Sequence, residues 1–363
     1  MIFIALLAAI GIVYGHEVVQ DRAPLVPDMK YARAVGEAFR IVHESYPLRA
    51  NAVRCVPKLT GLLYRIDGMQ NKDIAEANRE LRELGCLDRF STIGASPIMP
   101  PIRCEPNTTV VAKDPAIPAR IYRVGRSDTV VLHVYSFQWE PAPCTVYELE
   151  ILRMAGNLRK KLEGSKFRRL ILDLRGNPGG DAWTVREFVT ELFSPQVGTP
   201  LVTYRSRGFA DQEWHTRRKG AFRCPNAVLI DRYTASGAEM TAGILRAWCP
   251  RDKTLFVGEM TYKKGTVMDS RRAGEAHVYV STWEFFIGVG DNLIPINDVG
   301  ITPDIRPPSL SPLFESKHLG MYLGRTLGLD AWSGVLGTGD QILNTALFAL
   351  YRKERAELVS NPN

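Results

Sequence analysis

Apolar and polar positions follow two rhythms along this chain. From Met29 to Val42, and again from Ile74 to Leu84, helix formers place apolar residues at helical spacing among charges, so residues 27–88 are expected to be mostly helical. Pro and Gly then punctuate Ile93 to Pro118, a stretch expected to hold loops and short strands. From Thr129 the pattern changes. Thr129–Phe137 (TVVLHVYSF) is rich in strand formers, and Thr145–Leu162 carries apolar residues at 146, 149, 152, 155, 158 and 162, which predicts one face of a long helix. The run Arg169–Leu174 (RLILDL) is short and almost continuously apolar, as expected of a strand covered on both faces. RGNPGGD follows, then a helical pattern with Val185, Phe188, Val189 and Leu192 on one side. The order strand, turn, helix returns in AVLID, RYTAS and GAEMTAGILRA. Thr254–Gly258 and His277–Thr282 supply further strands, and Gln341–Arg355 a terminal helix.

Strands alternating with helices of ten or more residues predict an α/β core. The expected organisation is a signal peptide at 1–15, a helical region at 16–88, a core at 89–306 and a helical C-terminal segment at 307–363. The 363 residues are enough to bury such a core without metal or disulfide staples. With 45% apolar and 23% charged residues, the composition excludes a wholly disordered chain and a small disulfide scaffold.

The net charge is +7, from 46 Lys and Arg against 39 acids. Basic residues are scattered, the densest run being Arg205–Arg223, so a solvated surface is expected and a nucleic-acid partner is not. Weak association with an anionic membrane surface needs no more charge than this.

The first fifteen residues carry no charge and have the length of a signal-peptide apolar region, with Val13-Tyr14-Gly15 at the expected cleavage position. An uncleaved tether and a buried strand are the alternatives. The signal reading implies export, to a periplasm or outside the cell. The six cysteines (55, 86, 104, 144, 224, 249) include no C-x-x-C pair, so no metal site is expected. In an oxidising compartment they allow three disulfides. Cys224 precedes the strand before Ser236 and Cys249 ends the helix after it. A strand and the helix packed antiparallel on it bring such ends together, so a Cys224–Cys249 bridge is expected if the chain is exported; six buried free thiols are the alternative.

Two turns leave a buried strand and open a helix: Gly176-Asn177-Pro178-Gly179-Gly180 and Thr234-Ala235-Ser236-Gly237. Helix N-termini present unpaired N–H groups and the positive end of the dipole, and so can hold a phosphate or an oxyanion. The first turn fits neither G-x-G-x-x-G nor the Walker pattern. Ser236 sits between two small residues at a strand-to-helix junction, placed like a nucleophile, although taken alone such a serine is more often a plain N-cap. No G-x-S-x-G and no S-x-x-K occurs, and the histidines have no triad context. The remaining base is lysine, and Lys264 follows a buried strand in GEMTYKKGTV.

Three blocks, ILDLRGNPGGD, DRYTASGAEMTAGIL and VGEMTYKKGTV, together with LIPINDVGITPDI and GDQILNTAL, resemble the C-terminal processing peptidases, also called tail-specific proteases. The resemblance covers about residues 120–350. It implies a crotonase-like core of repeated β-β-α units and a serine–lysine endopeptidase that needs no cofactor and cleaves unfolded or C-terminal segments of polypeptides. Ser236 matches the nucleophile and Lys264 the general base. The N–H groups of Gly237, Gly179 and Gly180 match the oxyanion hole. A free lysine amine is almost wholly protonated at neutral pH, so such a base requires an apolar surround.

The chain departs from the family's pattern where Gln commonly follows the lysine by four residues: here that orienting position is Met268. Lys263 stands where Gly is common. No Gly-Leu-Gly-Phe-like loop marks a PDZ domain. Met268 favours a second reading, a catalytically silent protein that binds peptide or an apolar ligand on the same fold. A third, an acyl-CoA enzyme, rests on similar oxyanion turns and is separable by retention on coenzyme A. The N-terminal helices leave room for a homo-oligomer formed through them.

Overall fold

A computed structural model describes residues 29–44, 52–87, 89, 91–95, 118–124, 127–139, 147–206, 209–273, 276–307 and 340–360. The apolar segment at 1–15, expected to be a signal peptide, Cys104 and Cys144 lie outside these residues. Three helices open the described chain: α1 (Met29–Glu44), α2 (Ala52–Arg65) and α3 (Asn71–Glu83). Then come β1 (Thr92–Ala95), β2 (Ala119–Arg123), β3 (Thr129–Val134), α4 (Tyr147–Gly164), β4 (Arg169–Asp173) and α5 (Ala182–Phe193). They are followed by β5 (Pro200–Arg205), β6 (Gln212–His215), β7 (Ala227–Ile230), α6 (Gly237–Trp248) and β8 (Leu255–Gly258). Last are β9 (Thr266–Ala273), β10 (Ala276–Ile287), β11 (Ile294–Pro295) and α7 (Gln341–Ser360).

The architecture is mixed α/β with two sheets. One has the order β2-β3-β4-β7-β8, with β2 antiparallel and the other pairs parallel. Because side chains alternate across a strand, its two faces enter different cores. Leu132, Leu172, Val228 and Phe256 form one cross-strand row that packs with α4, α5 and α6. Val131, Ile171, Leu229 and Val257 face the other way, onto Leu343, Ala346, Leu347 and Leu350 of α7. This double cover is why RLILDL is apolar at nearly every position.

The second sheet runs β1-β10-β5-β6, with β9 and β11 also paired to β10. The long strand β10 serves two cores. Ala276, Val278 and Val280 lie under the N-terminal helices, whereas Phe285 and Ile287 join the central core with α6.

Among the described residues two bridges staple the fold. Cys55–Cys86 joins α2 to the end of α3, with Cα atoms 5.3 Å apart. Cys224–Cys249, the expected pair, closes the β7–α6 unit at a Cα separation of 5.7 Å.

The predicted apolar face of α4 needs correction. Its buried positions are Ile151, Met154, Ala155, Leu158 and Leu162, while Leu149 is 64% exposed. The helix turns its face by 3.6 residues per turn, and the strict three-residue stepping of the predicted stripe drifts off that face.

Candidate active site

The sheet brings the site together. Strands β4, β7 and β8 are parallel neighbours, so the segments leaving their C-terminal ends emerge side by side. In open α/β sheets this is where ligands bind. These three segments are the glycine turn, the Ser236 turn and the Lys264 segment.

Side chains stitch the two turns to each other. Asp231, just after β7, accepts the Gly176 N–H at 3.0 Å and the Thr234 N–H at 2.9 Å. The Thr234 hydroxyl donates to the Leu174 carbonyl at 2.9 Å, and the Ala235 N–H to the Asn177 carbonyl at 2.9 Å. Gly179, at φ +97°, lies against the serine: a Cβ there would stand 2.8 Å from Ser236 Cβ and 2.7 Å from Gly237 N. Only glycine fits this approach.

Ser236 precedes α6 with φ 52° and ψ −117°. An ordinary N-cap has extended backbone; this conformation is one that L-residues rarely adopt and that costs roughly 1–3 kcal/mol. The fold therefore holds Ser236 in a strained turn, beyond what capping requires.

Of the three expected oxyanion donors, two are open. The Gly237 N–H, at the first helical position, and the Gly180 N–H have no acceptor among the described residues. They are close neighbours, since a Cβ on Gly237 would be 3.4 Å from Gly180 N. The Gly179 N–H differs from expectation: it donates to the buried Asn177 Oδ1 at 2.8 Å. Asn177 is anchored by its own amide, which donates to the Val134 carbonyl at 2.9 Å. Gly179 therefore shapes the turn, and its amide is already engaged.

Glu239 was not singled out in the sequence, yet it organises the lysine side. Its carboxylate is fully buried and accepts four donors. Oε2 takes the N–H of Ser236 at 3.0 Å and of Lys264 at 2.7 Å. Oε1 takes the N–H of Lys263 at 2.7 Å and the Thr261 hydroxyl at 2.5 Å. Burial pushes the Glu239 carboxyl pKa up, and the four donors pull against it without cancelling it. The S-x-x-E spacing from Ser236 to Glu239 is the capping-box signature and was the available signal.

Lys264 is half-buried, and its Nζ lies 3.2 Å from Met268 Sδ. Met268 is thus against the amine. Lys263 adopts φ 72°, a left-handed conformation, which explains why glycine is the commoner residue there. Its carbonyl is held by Arg89 at 2.9 Å, so the N-terminal region reaches the lysine segment.

A second network anchors the glycine turn from behind. Arg175 donates to Asp173 at 2.9 and 2.6 Å and to Asp340 at 2.7 Å through each terminal nitrogen. Burial works against the Arg175 charge, but the two carboxylates outweigh it and hold its pKa up. Asp340 in turn accepts the Leu343 N–H at the start of α7.

This arrangement offers a hydroxyl on a strained turn, an amine on a neighbouring segment and two adjacent open amides, groups of the kinds that acyl transfer uses. Among the described residues no cluster of His, Cys, Asp and Glu could hold a metal ion, and no helix is long and apolar enough to cross a membrane.

Comparison with known proteins bears on the same segments. Residues 128–306 match the family model described as Peptidase family S41. The tail-specific protease of Haemophilus influenzae is 34% identical over 114 residues, which is 31% of this chain and 15% of that protein. The chloroplastic C-terminal processing peptidase of Tetradesmus obliquus is 28% identical over 172 residues, 46% of this chain and 34% of its own. The matches to these curated relatives thus span well under half of their length. Among solved structures, a lipoprotein from Streptococcus agalactiae aligns over 82% of this chain and 98% of its own with a TM-score of 0.54 at 17% identity, a likeness of fold.

Proposed function

Residues 128–306 of this chain belong to peptidase family S41, and from that premise we propose that the protein is a serine-type endopeptidase with Ser236 as nucleophile and Lys264 as general base. The observation that carries this reading is the shared carboxylate oxygen of Glu239, which binds the backbone N–H of both residues. That contact holds the serine turn and the lysine segment in one fixed relation.

In the proposed reaction Ser236 Oγ attacks the scissile carbonyl carbon, and its proton passes to the neutral Lys264 amine. The Gly180 and Gly237 amides stabilise the oxyanion. Lys264 then delivers the proton to the leaving amine, which departs as the acyl-enzyme forms. Water attacks the ester by the same steps in reverse roles. The substrates are unfolded or C-terminal segments of polypeptides. The crotonase-like core belongs to this reading too, supported by the two passages β4–turn–α5 and β7–turn–α6 that present the turns. Export is part of it as well, supported by the disulfides and the apolar leader. In the proposed organisation the peptidase core is 89–306, flanked by helical segments and without a PDZ domain.

One observation favours a second reading. Met268 Sδ occupies the place beside Nζ where a stronger acceptor would orient the amine. A protein that binds peptide without cleaving it would tolerate that. Incubation with an unfolded polypeptide such as casein separates the two. Cleavage by the wild type, with none by Ser236→Ala or Lys264→Arg, supports the peptidase; peptide binding with equal absence of cleavage in all three supports the silent binder.

A further inference from the structure

The basic run Arg205–Arg223 is not only a solvated surface. It closes on α5, where Arg186 is 8% exposed. The Arg186 guanidinium lies 4.7 Å from the Trp183 ring centroid and 5.1 Å from that of Trp214. The exposed Arg217 adds a second cation 5.5 Å from Trp183.

Anions are short in this cluster. The nearest carboxylate oxygen to Arg186 is Glu187 Oε1 at 3.8 Å from Nε, and Glu187 is engaged by Arg218 at 2.7 Å. Glu191 is shared between Arg218 at 2.6 Å and Arg159 at 2.9 Å. Arg186 Nε and Trp183 Nε1 are both buried donors with no acceptor among the described residues. Burial, and after it the neighbouring Arg217 charge, pushes the Arg186 pKa down, and the Glu187 carboxylate, which it shares with Arg218, does not cancel this. Leaving such groups unpaired is costly, so a ligand that supplies acceptor oxygens gains the difference.

Contacts link the cluster to the reacting centre. Helix α5 begins immediately after the glycine turn, capped by Asp181, and its Val185 side chain would touch a Cβ on Gly237 at 3.0 Å. The Tyr204 ring packs on Trp214 at 4.7 Å, and its hydroxyl reaches Met240 Sδ at 3.6 Å, one turn into the helix that Ser236 opens.

We propose that Arg186, Trp183 and Arg217 form a carboxylate-binding subsite beside the glycine turn, which selects peptides bearing a carboxylate near the scissile bond. This rests on the peptidase reading for its location. The Trp183 and Trp214 rings meet edge to face, with centroids 5.8 Å apart at 81°, and so lie to one side of the Arg186 guanidinium rather than on its two faces; a guanidinium pairs with a planar carboxylate through its planar N–H edge. A peptide offers that group in two ways, as its C-terminus or as an Asp or Glu side chain.

The test uses four hexapeptides of one sequence, with a free or amidated C-terminus and with Glu or Gln at one internal position. Their binding to the full-length Ser236→Ala protein is followed by quenching of indole fluorescence. The expected result is about tenfold tighter binding of the carboxylate member of one pair, the pair identifying the source. Arg186→Met should reduce that preference to about one, and Arg217→Gln, at an exposed position that cannot unfold the protein, to about threefold. Equal affinity for all four peptides overturns the subsite. So does a preference that persists in folded Arg186→Met, or, should that variant not fold, one left unchanged by Arg217→Gln. The peptidase reading fails separately: a wild type that cleaves none of the four while binding still discriminates leaves the subsite standing without it.

Discussion

Ser236 and Lys264 donate their backbone N–H groups to the same oxygen, Glu239 Oε2, at 3.0 and 2.7 Å. Each of these groups belongs to a different strand-end segment, and one carboxylate keeps them in register. In Glu239→Gln one oxygen becomes an NH2 group, so one or two backbone N–H donors face another donor, one if the NH2 takes the Oε1 place, where the Thr261 hydroxyl can turn to accept, and two if it takes that of Oε2. Leaving a buried donor unsatisfied costs about 1–3 kcal/mol. Glu239→Gln should therefore lower stability by about 3 kcal/mol and cut turnover more than tenfold. Thermal melts and peptide assays check this; a variant with wild-type behaviour in both would show that the carboxylate does not hold the site.

The strained Ser236 backbone gives a second test. Glycine adopts φ 52° and ψ −117° freely, alanine does not. Both Ser236→Gly and Ser236→Ala should be inactive, but the glycine variant should be the more stable by about 1 kcal/mol despite its larger unfolded-state entropy. Equal midpoints in chemical denaturation would mean that the turn stores no strain.

Met268→Gln replaces a poor acceptor beside Nζ with an amide oxygen at a similar reach. One orienting hydrogen bond to a reacting or charged group contributes about 1.5 kcal/mol, so turnover of a generic peptide should rise about tenfold. Steady-state kinetics on an intact variant decides it; an unchanged kcat would place the orienting role with another polar group near the amine.

Asp340 predicts an acid-sensitive latch. Burial opposes its charge, but Arg175 and the Leu343 N–H outweigh burial and hold its carboxyl below the usual range. A carboxyl depressed in the folded state stabilises fully above its unfolded pKa, near 3.8, and loses that contribution as pH falls through the folded value. Asp340→Asn should be less stable than wild type at neutral pH, and the gap should narrow below about pH 4. Urea midpoints across the acid range report it, and a gap independent of pH would refute the ionic origin.

The Cys224–Cys249 bridge encloses a segment with a sequence separation of 25 residues. Loop-closure entropy puts its contribution at about 3.5 kcal/mol. Replacing both cysteines by alanine should lower the melting temperature by that equivalent, and reductant should then have a smaller further effect than it has on wild type.

How much of this was legible in the sequence depended on what each residue's neighbours demanded. RLILDL and AVLID were readable because both faces of those strands are covered, and each face leaves its own apolar imprint. Strand β9, by contrast, reads TVMDSRRA and carries no such imprint; it is a strand because β10 pairs with it from Thr266 to Ala273. The serine, the lysine and the glycine turns were visible as unusual residues at strand ends. Glu239, Asn177 and Asp231 were not, because an acid in a helix and polar residues in a turn are common, and their importance lies in which distant amides they receive. The face of α4 was misplaced in its first turns, where Leu149 looked like core and lies in solvent.

The link from Arg175 to Asp340 also has a consequence in time. A chain leaves the ribosome from its N-terminus, so the glycine turn, Ser236 and Lys264 are all made before residue 340 exists. Until then Arg175 has only Asp173, and the outer face of the five-stranded sheet lacks the apolar side chains of α7 that cover it. The candidate chemistry thus acquires its rear support only after residues 340–350 have been made. A chain that has not yet reached residue 340 therefore carries both turns without the Arg175–Asp340 link.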